Sequence, residues 1–314
     1  MALNEKQNFL DTLSIDCLAE ILATSFEGVF FLDKERNILF WNQAAETISG
    51  YTNSEVLGRK CSDRILAPID DQGRALCSEL CPLNDLKSEV LKRNLELYIH
   101  HRDGYRLPVI MRIRPLKNLK GEIIGTAHIF IDISPRVSMP PQAEELSRLD
   151  LIDPLTSVGN RTFLRIYLQS RLQEMQKFKL SFGVLYIDVD RLAEINDLHG
   201  RVAGDRLIAA IARTLQNNLR FIDVLGRWND DEFMAIITHV DETKLDVVAN
   251  KLRLLAQNSF ILSNGLSVST SVSIGATMAR RRDTIKDIVD RAEKLMLHSK
   301  WLGRNRVSSR LTSI

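Results

Sequence analysis

The sequence predicts two domains that each combine helices with a β-sheet, on three observations. The chain has 314 residues, enough for two domains that each bury a core. Its first half reads as two strands, short helices, a longer helix and three strands. Its second half contains the near-continuous apolar run LSFGVLYIDVD at 180–190, the kind of strand that is buried on both faces of a sheet flanked by helices. The expected division is a first domain with an N-terminal helix over 1–135, a linker helix over 136–150 and a second domain over 151–314.

Hydrophobic residues make up 45% of the chain and charged residues 26%, a globular balance. A formal net charge of +2 argues against general attraction to nucleic acid or acidic lipid. The opening MALNEKQNFL lacks the apolar core of a signal peptide, and no apolar run is long enough to span a bilayer. Four unevenly spaced cysteines suit a reducing compartment better than a disulfide framework. The expectation is a cytoplasmic chain.

In the first half, residues 6–24 have the apolar spacing of an amphipathic helix. GVFFLD at 28–33 and ILFWN at 38–42 form a hairpin about a turn at 34–37. The segment NQAAETISGYTNSEVLG (42–58) predicts short helices, with a Thr52-Asn-Ser cap ahead of Glu55. A helix is expected over 82–93, then strands over 95–101, 106–115 and 123–132, separated by Asp103-Gly104 and Lys120-Gly121 turns. This order, with WNQAAETISGYTNSEVLG and a closing DIS at 132–134, resembles a PAS domain. The resemblance implies an antiparallel five-stranded sheet with short helices that acts as a sensor or dimerisation module; the ligand is not readable. Cys61, Cys77 and Cys81 cluster in sequence, and His100 or His101 on a later strand can complete a Cys₃His metal site. The plainer reading is free thiols. There is no CxxCH motif for haem.

PRVSMPP at 135–141 breaks the chain, and 142–151 can form a helix too short for a strong coiled-coil seam.

The second half centres on RFIDVLGRWNDDEF at 220–233. Two β-type runs, 224–228 and 233–238, flank a break in which Asn229-Asp230 can supply the positive φ angles of a tight turn. Asp231 and Glu232 follow, where carboxylates gather a hard cation. Carboxylates also end the buried run, at Asp188 and Asp190. These segments, with DPLTSVGNR at 153–161 and KWLGRNRV at 300–307, resemble the GGDEF domain of diguanylate cyclases, a nucleotidyl-cyclase-like central sheet flanked by helices. The resemblance implies that Asp188, Asp231 and Glu232 are the catalytic and metal residues, Mg²⁺ being the expected ion and Val189 adding a backbone carbonyl. It implies that Asn196 and Asp205 read guanine, that Lys300 and Arg304 contact phosphate, and that Arg227 is the arginine preceding the signature. It further implies that Arg220 and Asp223 are the RxxD pair of the product-inhibition site, where an arginine fork suits a guanine edge. Taken alone, Arg-x-x-Asp is usually a surface ion pair. Lys251 and Arg253 are minor phosphate candidates, and Arg280, Arg281 and Arg282 read as a solvated charge run.

The departures from the family pattern lie on the phosphate side. Leu192-Ala193 replaces phenylalanine-lysine, Arg201 replaces the histidine after Gly200, Ser157 and Val158 replace Gly-Leu, and Asn229 and Asp230 replace the two signature glycines. A Cβ and a carboxylate in the phosphate cradle, with one cation lost, imply a cost of several kcal/mol, on the order of a thousandfold in rate. Two functions follow. One is a cyclic di-GMP receptor whose GGDEF domain is catalytically degenerate. The other is an active or weak cyclase joining two GTP. A GTP-binding scaffold is a third. A homodimer with an unidentified protein partner is expected, and no EAL-like or HD-like hydrolase segment is present.

Overall fold

The computed structural model describes residues 15–77, 81, 94–134 and 150–311. Two compact units take, respectively, most of the residues up to Asp132 and those from Ile133 onward. The expected segments 6–14, 82–93 and 135–149 lie outside the described residues.

The first unit runs α1 (Ile15–Thr24), β1 (Gly28–Asp33), β2 (Ile38–Trp41), α2 (Gln43–Ser49), α3 (Asn53–Val56), β3 (Leu95–His100), β4 (Arg106–Lys117) and β5 (Ile123–Asp132). Its five strands are ordered β2-β1-β5-β4-β3, and β1 pairs antiparallel with both β2 and β5. The first hairpin closes because Asp33 accepts from the amide of Asn37 at 2.7 Å and from its Nδ2 at 2.8 Å, while Arg36 takes φ 68°. The expected Thr52 cap forms a capping box with Glu55. Phe30, Trp41 and Phe130 pack as one aromatic group at the sheet face, with ring centroids 5.2 to 6.3 Å apart.

Asn42 joins these pieces. Its Oδ1 accepts from the amides of Val29 and Ala45, at 2.8 and 2.9 Å, and so caps α2. Its Nδ2 donates to the carbonyls of Leu22 and Glu27, both at 2.9 Å. One buried amide thus ties the end of α1, strand β1 and α2 together.

The second unit runs α4 (Arg161–Phe178), β6 (Phe182–Val189), α5 (Leu192–His199), α6 (Arg201–Asn217), β7 (Val224–Arg227), β8 (Glu232–Thr238), α7 (Glu242–Gln257), β9 (Phe260–Ser263), β10 (Leu266–Ser269), β11 (Val272–Met278), α8 (Ile285–Trp301) and β12 (Val307–Ser308). Its main sheet has the order β12-β11-β6-β8-β7, and β9 and β10 form a separate hairpin. Strand β6 is central, antiparallel to β11 and β8, and every one of its residues is buried. Val184 and Tyr186 join the core of α4 and α8 with Leu164, Leu168, Ile288 and Met296. Leu185 and Ile187, equally buried, point to the other face by the two-residue period of a strand. The apolar run is therefore covered on both sides.

The turn between β7 and β8 corrects one expectation. Neither Asn229 nor Asp230 has a positive φ. Four residues separate the strands, and a loop of that length closes about ordinary right-handed geometry. The backbone accepts the two replacements without left-handed strain. Strain appears instead at Ser157, which replaces glycine and stands at φ 58°, a conformation costing a residue with a Cβ roughly 1–2 kcal/mol.

Replacing Asn42 with alanine is expected to lower the stability of the first domain by roughly 2–4 kcal/mol, because it removes a cap and leaves two buried amides and two carbonyls unpaired. Urea unfolding followed by near-ultraviolet circular dichroism checks this. A loss below about 0.5 kcal/mol would show that water satisfies those groups instead.

Candidate functional site

The antiparallel register of β6 and β8 sets Asp188 opposite Glu232, and the amide of Val189 donates to the Asp231 carbonyl at 3.0 Å. Asp188 is 3% exposed. Its Oδ2 holds the Lys300 ammonium at 2.6 Å, and its Oδ1 is buried without a partner. Burial pushes the Asp188 carboxyl up to about 6; the Lys300 bond opposes the rise, and the charges of Asp231 and Glu232 add to it. A buried carboxylate oxygen with an open lone pair, close to a second carboxylate, fits a hard cation. Asp188 and Asp231 are the side chains that would hold Mg²⁺ were it bound here. Among the described residues, no three His, Cys, Asp or Glu side chains form a ready-made metal group.

Glu232 is committed differently. Its Oε2 accepts from the Tyr186 hydroxyl at 2.8 Å and, closely, from Asn229 Nδ2. Burial, followed by this bond, raises the Tyr186 hydroxyl, so it stays protonated and donates. Asn229 Oδ1 in turn accepts from Arg161 Nη1 at 3.4 Å, and the Arg161 guanidinium lies 4.7 Å over the Trp228 ring. The residue that replaces the first signature glycine thus links the Arg161 cation to the Glu232 carboxylate through its amide. The Asp230 side chain is exposed at the tip.

Arg227 fastens the hairpin to the opening motif. Nη1 reaches both Asp153 carboxylate oxygens, at 3.2 and 3.3 Å, and Nε donates to the Asp230 carbonyl at 3.0 Å. Burial raises the Asp153 carboxyl, but bonds from the Thr156 hydroxyl and amide and from Arg227 outweigh it and hold the group below its ordinary value.

Asn196 on α5 and Asp205 on α6 flank the bend at Gly200, which takes φ 82°. Asn196 Oδ1 is buried and unpartnered, an open acceptor of the kind a guanine N–H can fill. Gly204, which the sequence analysis did not single out, makes this possible: a Cβ there would lie 1.9 Å from Asn196 Oδ1. Its signal was the four-residue step from Gly200. Ala193 and Arg201 lie exposed at the starts of α5 and α6.

Asp190, the second carboxylate at the end of the buried run, has a different use. It is 2% exposed, and its carboxylate accepts from Ser271 and Ser273 hydroxyls at 2.6 and 2.7 Å and from the Asn305 amide at 3.1 Å. It is a fastening for the 303–306 loop, where Arg304 (φ 65°) presents an exposed guanidinium. Arg253 braces the same loop through Asn305 Oδ1 at 2.9 Å.

The Arg220–Asp223 pair is not an ion pair. Asp223 Oδ2 accepts from the Arg220 backbone amide at 3.2 Å, and Oδ1 accepts from the Thr238 amide and hydroxyl at 3.0 and 3.3 Å. The carboxylate sets the turn and anchors it to the end of β8. The Arg220 guanidinium is exposed and makes no hydrogen bond or ion pair among the described residues. Helix α4 lies against the same turn: the Tyr167 hydroxyl donates to the Ile222 carbonyl at 3.2 Å, and Arg171, whose Nε is buried without a partner, stacks over the Tyr167 ring at 4.9 Å.

The expected cysteine and histidine metal site is not assembled. The His101 ring lies beside Gly50, His100 Nδ1 meets the Tyr51 hydroxyl at 3.1 Å, and the imidazole that shares a cavity wall with Cys61, Cys77 and Cys81 belongs to His128. Both histidines are taken up at the end of β3 by the 50–51 turn, whereas His128 on β5 lines the cavity. No helix among the described residues is long and apolar enough to cross a membrane.

A family model described as diguanylate cyclase, GGDEF domain, matches residues 150–306, and a PAS domain model matches 27–135. The chain belongs to the GGDEF-domain family of diguanylate cyclases, with a PAS domain ahead of that domain. It is 26% identical over 283 residues to the probable diguanylate cyclase DgcE of Escherichia coli, covering 90% of this chain and 25% of DgcE. It is 30% identical over 166 residues to diguanylate cyclase DosC of the same organism, covering 52% of this chain and 36% of DosC. The chain thus spans only a quarter to roughly a third of these curated relatives. Among solved structures, diguanylate cyclase SiaD from Pseudomonas aeruginosa, in complex with its activator SiaC, matches with a TM-score of 0.51 at 28% identity, covering 54% of this chain and 65% of that one.

Asp188 generates a pH prediction. Its folded pKa, about 6, lies above the unfolded carboxylate value, so its contribution to stability is fully present at low pH and is lost as pH rises through about 6. Carbon-detected NMR titration of the Asp188 carboxyl is expected to give a midpoint near 6, and Lys300→Met, which removes the opposing ion pair, to move it upward. A midpoint at or below 4 would mean that the carboxylate is solvated.

Proposed function

We propose that the second domain, residues 151–314, is a cyclic di-GMP receptor that binds the dinucleotide at the Arg220–Asp223 turn and makes little or none of it from GTP. One observation carries this reading: an exposed, uncommitted Arg220 fork is held on a turn that Asp223 has already locked to β8. A planar fork of this kind suits the O6 and N7 edge of guanine or a phosphate, in a geometry lysine cannot copy.

The phosphate side supports the negative half of the proposal. Asn229 occupies Glu232, Lys300 is drawn to Asp188, and 193 carries no cation. Phosphoryl transfer rests on positioning and charge neutralisation, so these losses act on the step itself. When bound, Mg²⁺ would supply neutralisation of phosphate charge at Asp188 and Asp231. In this reading the PAS domain, 1–135, is a sensory or dimerising input through the 136–150 linker. The chain then works in the cytoplasm as a homodimer, with a protein partner responding to the dinucleotide.

The second reading, a weak diguanylate cyclase, is favoured by the buried and unpartnered Asp188 Oδ1 and Asn196 Oδ1, acceptors suited to a metal ion and a guanine of GTP.

Calorimetry with cyclic di-GMP on four proteins tests the receptor. Wild type is expected to bind and Arg220→Ala to lose about thirtyfold to a thousandfold in affinity, the worth of a charge-assisted bidentate contact. Asp223→Ala is expected to weaken binding by loosening the turn, and Asp231→Ala to leave it intact. No binding by wild type, or equal binding by Arg220→Ala, ends the receptor reading.

Product analysis with GTP and Mg²⁺ is expected to show background synthesis in wild type. The triple change Ala193→Lys, Asn229→Gly, Asp230→Gly is expected to raise it, with each single change doing less. Steady turnover by wild type at the pace of its active relatives would promote the cyclase reading instead.

A further inference from the structure

We propose that the groove between α4 and α8 in the second domain binds a small zwitterion of amino-acid type with an apolar side chain, its carboxylate on Arg165 and its ammonium on Glu293.

The groove measures about 380 Å³. Helices α4 and α8 share a core through Leu164, Leu168, Ile288 and Ala292, so the recess lies between two anchored helices and not in a loop. Arg161 and Arg165 are four residues apart on α4, share one face of it and form a basic wall. Asp290 and Glu293, three apart on α8, form an acidic wall with Lys286 at its rim. Trp228, Ile285 and Val289 supply an apolar floor.

Two of these charges have no partner in the protein. Arg165 is exposed and makes no hydrogen bond or ion pair among the described residues, and half-buried Glu293 makes none either. Arg161 reaches Asn229 Oδ1 at 3.4 Å and otherwise stacks on Trp228. Lys286 and Asp290 satisfy each other. A guanidinium and a carboxylate therefore face one recess without meeting. A ligand that carries the opposite pair of charges satisfies both.

The two walls select for that pair. An anion gains at Arg165 but is repelled by Glu293, and a cation gains at Glu293 but is repelled by the arginines. A neutral molecule gives neither group a counter-charge. A ligand carboxylate matches the planar fork of Arg165, and an ammonium brings three donors to Glu293. The floor takes an apolar side chain out of water. The volume is well above the roughly 150 Å³ that admits benzene, so it suits a molecule of about ten to fifteen non-hydrogen atoms, the size of a single amino acid.

Occupancy has a path to the signature hairpin. Asn229 and Tyr186 line the same groove, and both donate to Glu232 Oε2. A ligand carboxylate beside Arg161 competes with Asn229 for that guanidinium. The inference does not rest on the nucleotide reading of this domain.

Heteronuclear NMR on the full chain tests it with three probes. These are L-phenylalanine, phenethylamine, which lacks the carboxylate, and N-acetyl-L-phenylalanine, which lacks the ammonium. In wild type, L-phenylalanine is expected to shift the Trp228 indole and Asn229 side-chain amide signals saturably, and each analogue to bind at least fivefold more weakly. Arg165→Gln is expected to remove most of the advantage of L-phenylalanine over phenethylamine, and Glu293→Gln most of its advantage over the acetylated analogue. Unchanged signals away from the groove show that both variants keep the fold. The proposal is overturned by a response to L-phenylalanine that does not saturate, by equal binding of either analogue in wild type, or by undiminished binding in both variants. If neither variant folds, the ranking of the three probes on wild type decides the matter alone.

Discussion

The second domain depends on the ion pair between Arg227 and Asp153. Both side chains are 16% exposed, so the pair is screened less than a surface bridge. One guanidinium is shared between the opening motif and the hairpin tip, since the same Arg227 also holds the Asp230 carbonyl. Main-chain bonds run alongside it: the Arg227 amide donates to the Gly159 carbonyl at 2.7 Å. The loop before α4 and the signature hairpin are consequently one assembly. Side chains can be exchanged at the hairpin tip without loosening it, because the tip is held from its flank and not by its own turn chemistry.

That explains how the signature can lose both glycines and keep its form. The turn requires no left-handed residue, so Asn229 and Asp230 impose no backbone penalty and act only through what their side chains do. Asn229 spans Arg161 and Glu232, giving both charges a partner within the protein. Lys300 does the same for one oxygen of Asp188 and leaves the other bare. The site is partly closed by the protein's own groups. The Arg220 turn shows the reverse pattern: the acidic residue is consumed by the fold and the basic one is left open.

The first domain buries polar groups in two contrasting ways. Asn42 satisfies all four of its side-chain hydrogen-bonding positions and thereby organises three elements. His128 leaves one nitrogen unmet beside an apolar space. Natural cores tolerate few such atoms, which is why the second case draws attention to itself.

Local patterns in the chain determined individual elements: the alternation about residues 34–37, the Thr52 capping box and the buried run at 180–190 appear where the residues imply them. Motif order also located Asp188, Asp231, Asn196 and Arg220. Tertiary structure alone decided what each does with its neighbours, because hydrogen bonding across 15 to 115 positions leaves no local trace. Asp190 looked like a partner of Asp188 and is a loop fastening. His101 looked like a ligand for the cysteines, yet it packs on Gly50 past the end of β3, and His128 on β5 shares the cavity wall with them. Gly204 carried no visible chemistry, yet the space it leaves is what frees Asn196. Periodicity records which face a residue takes; which atom it meets there is set only when distant strands come into register.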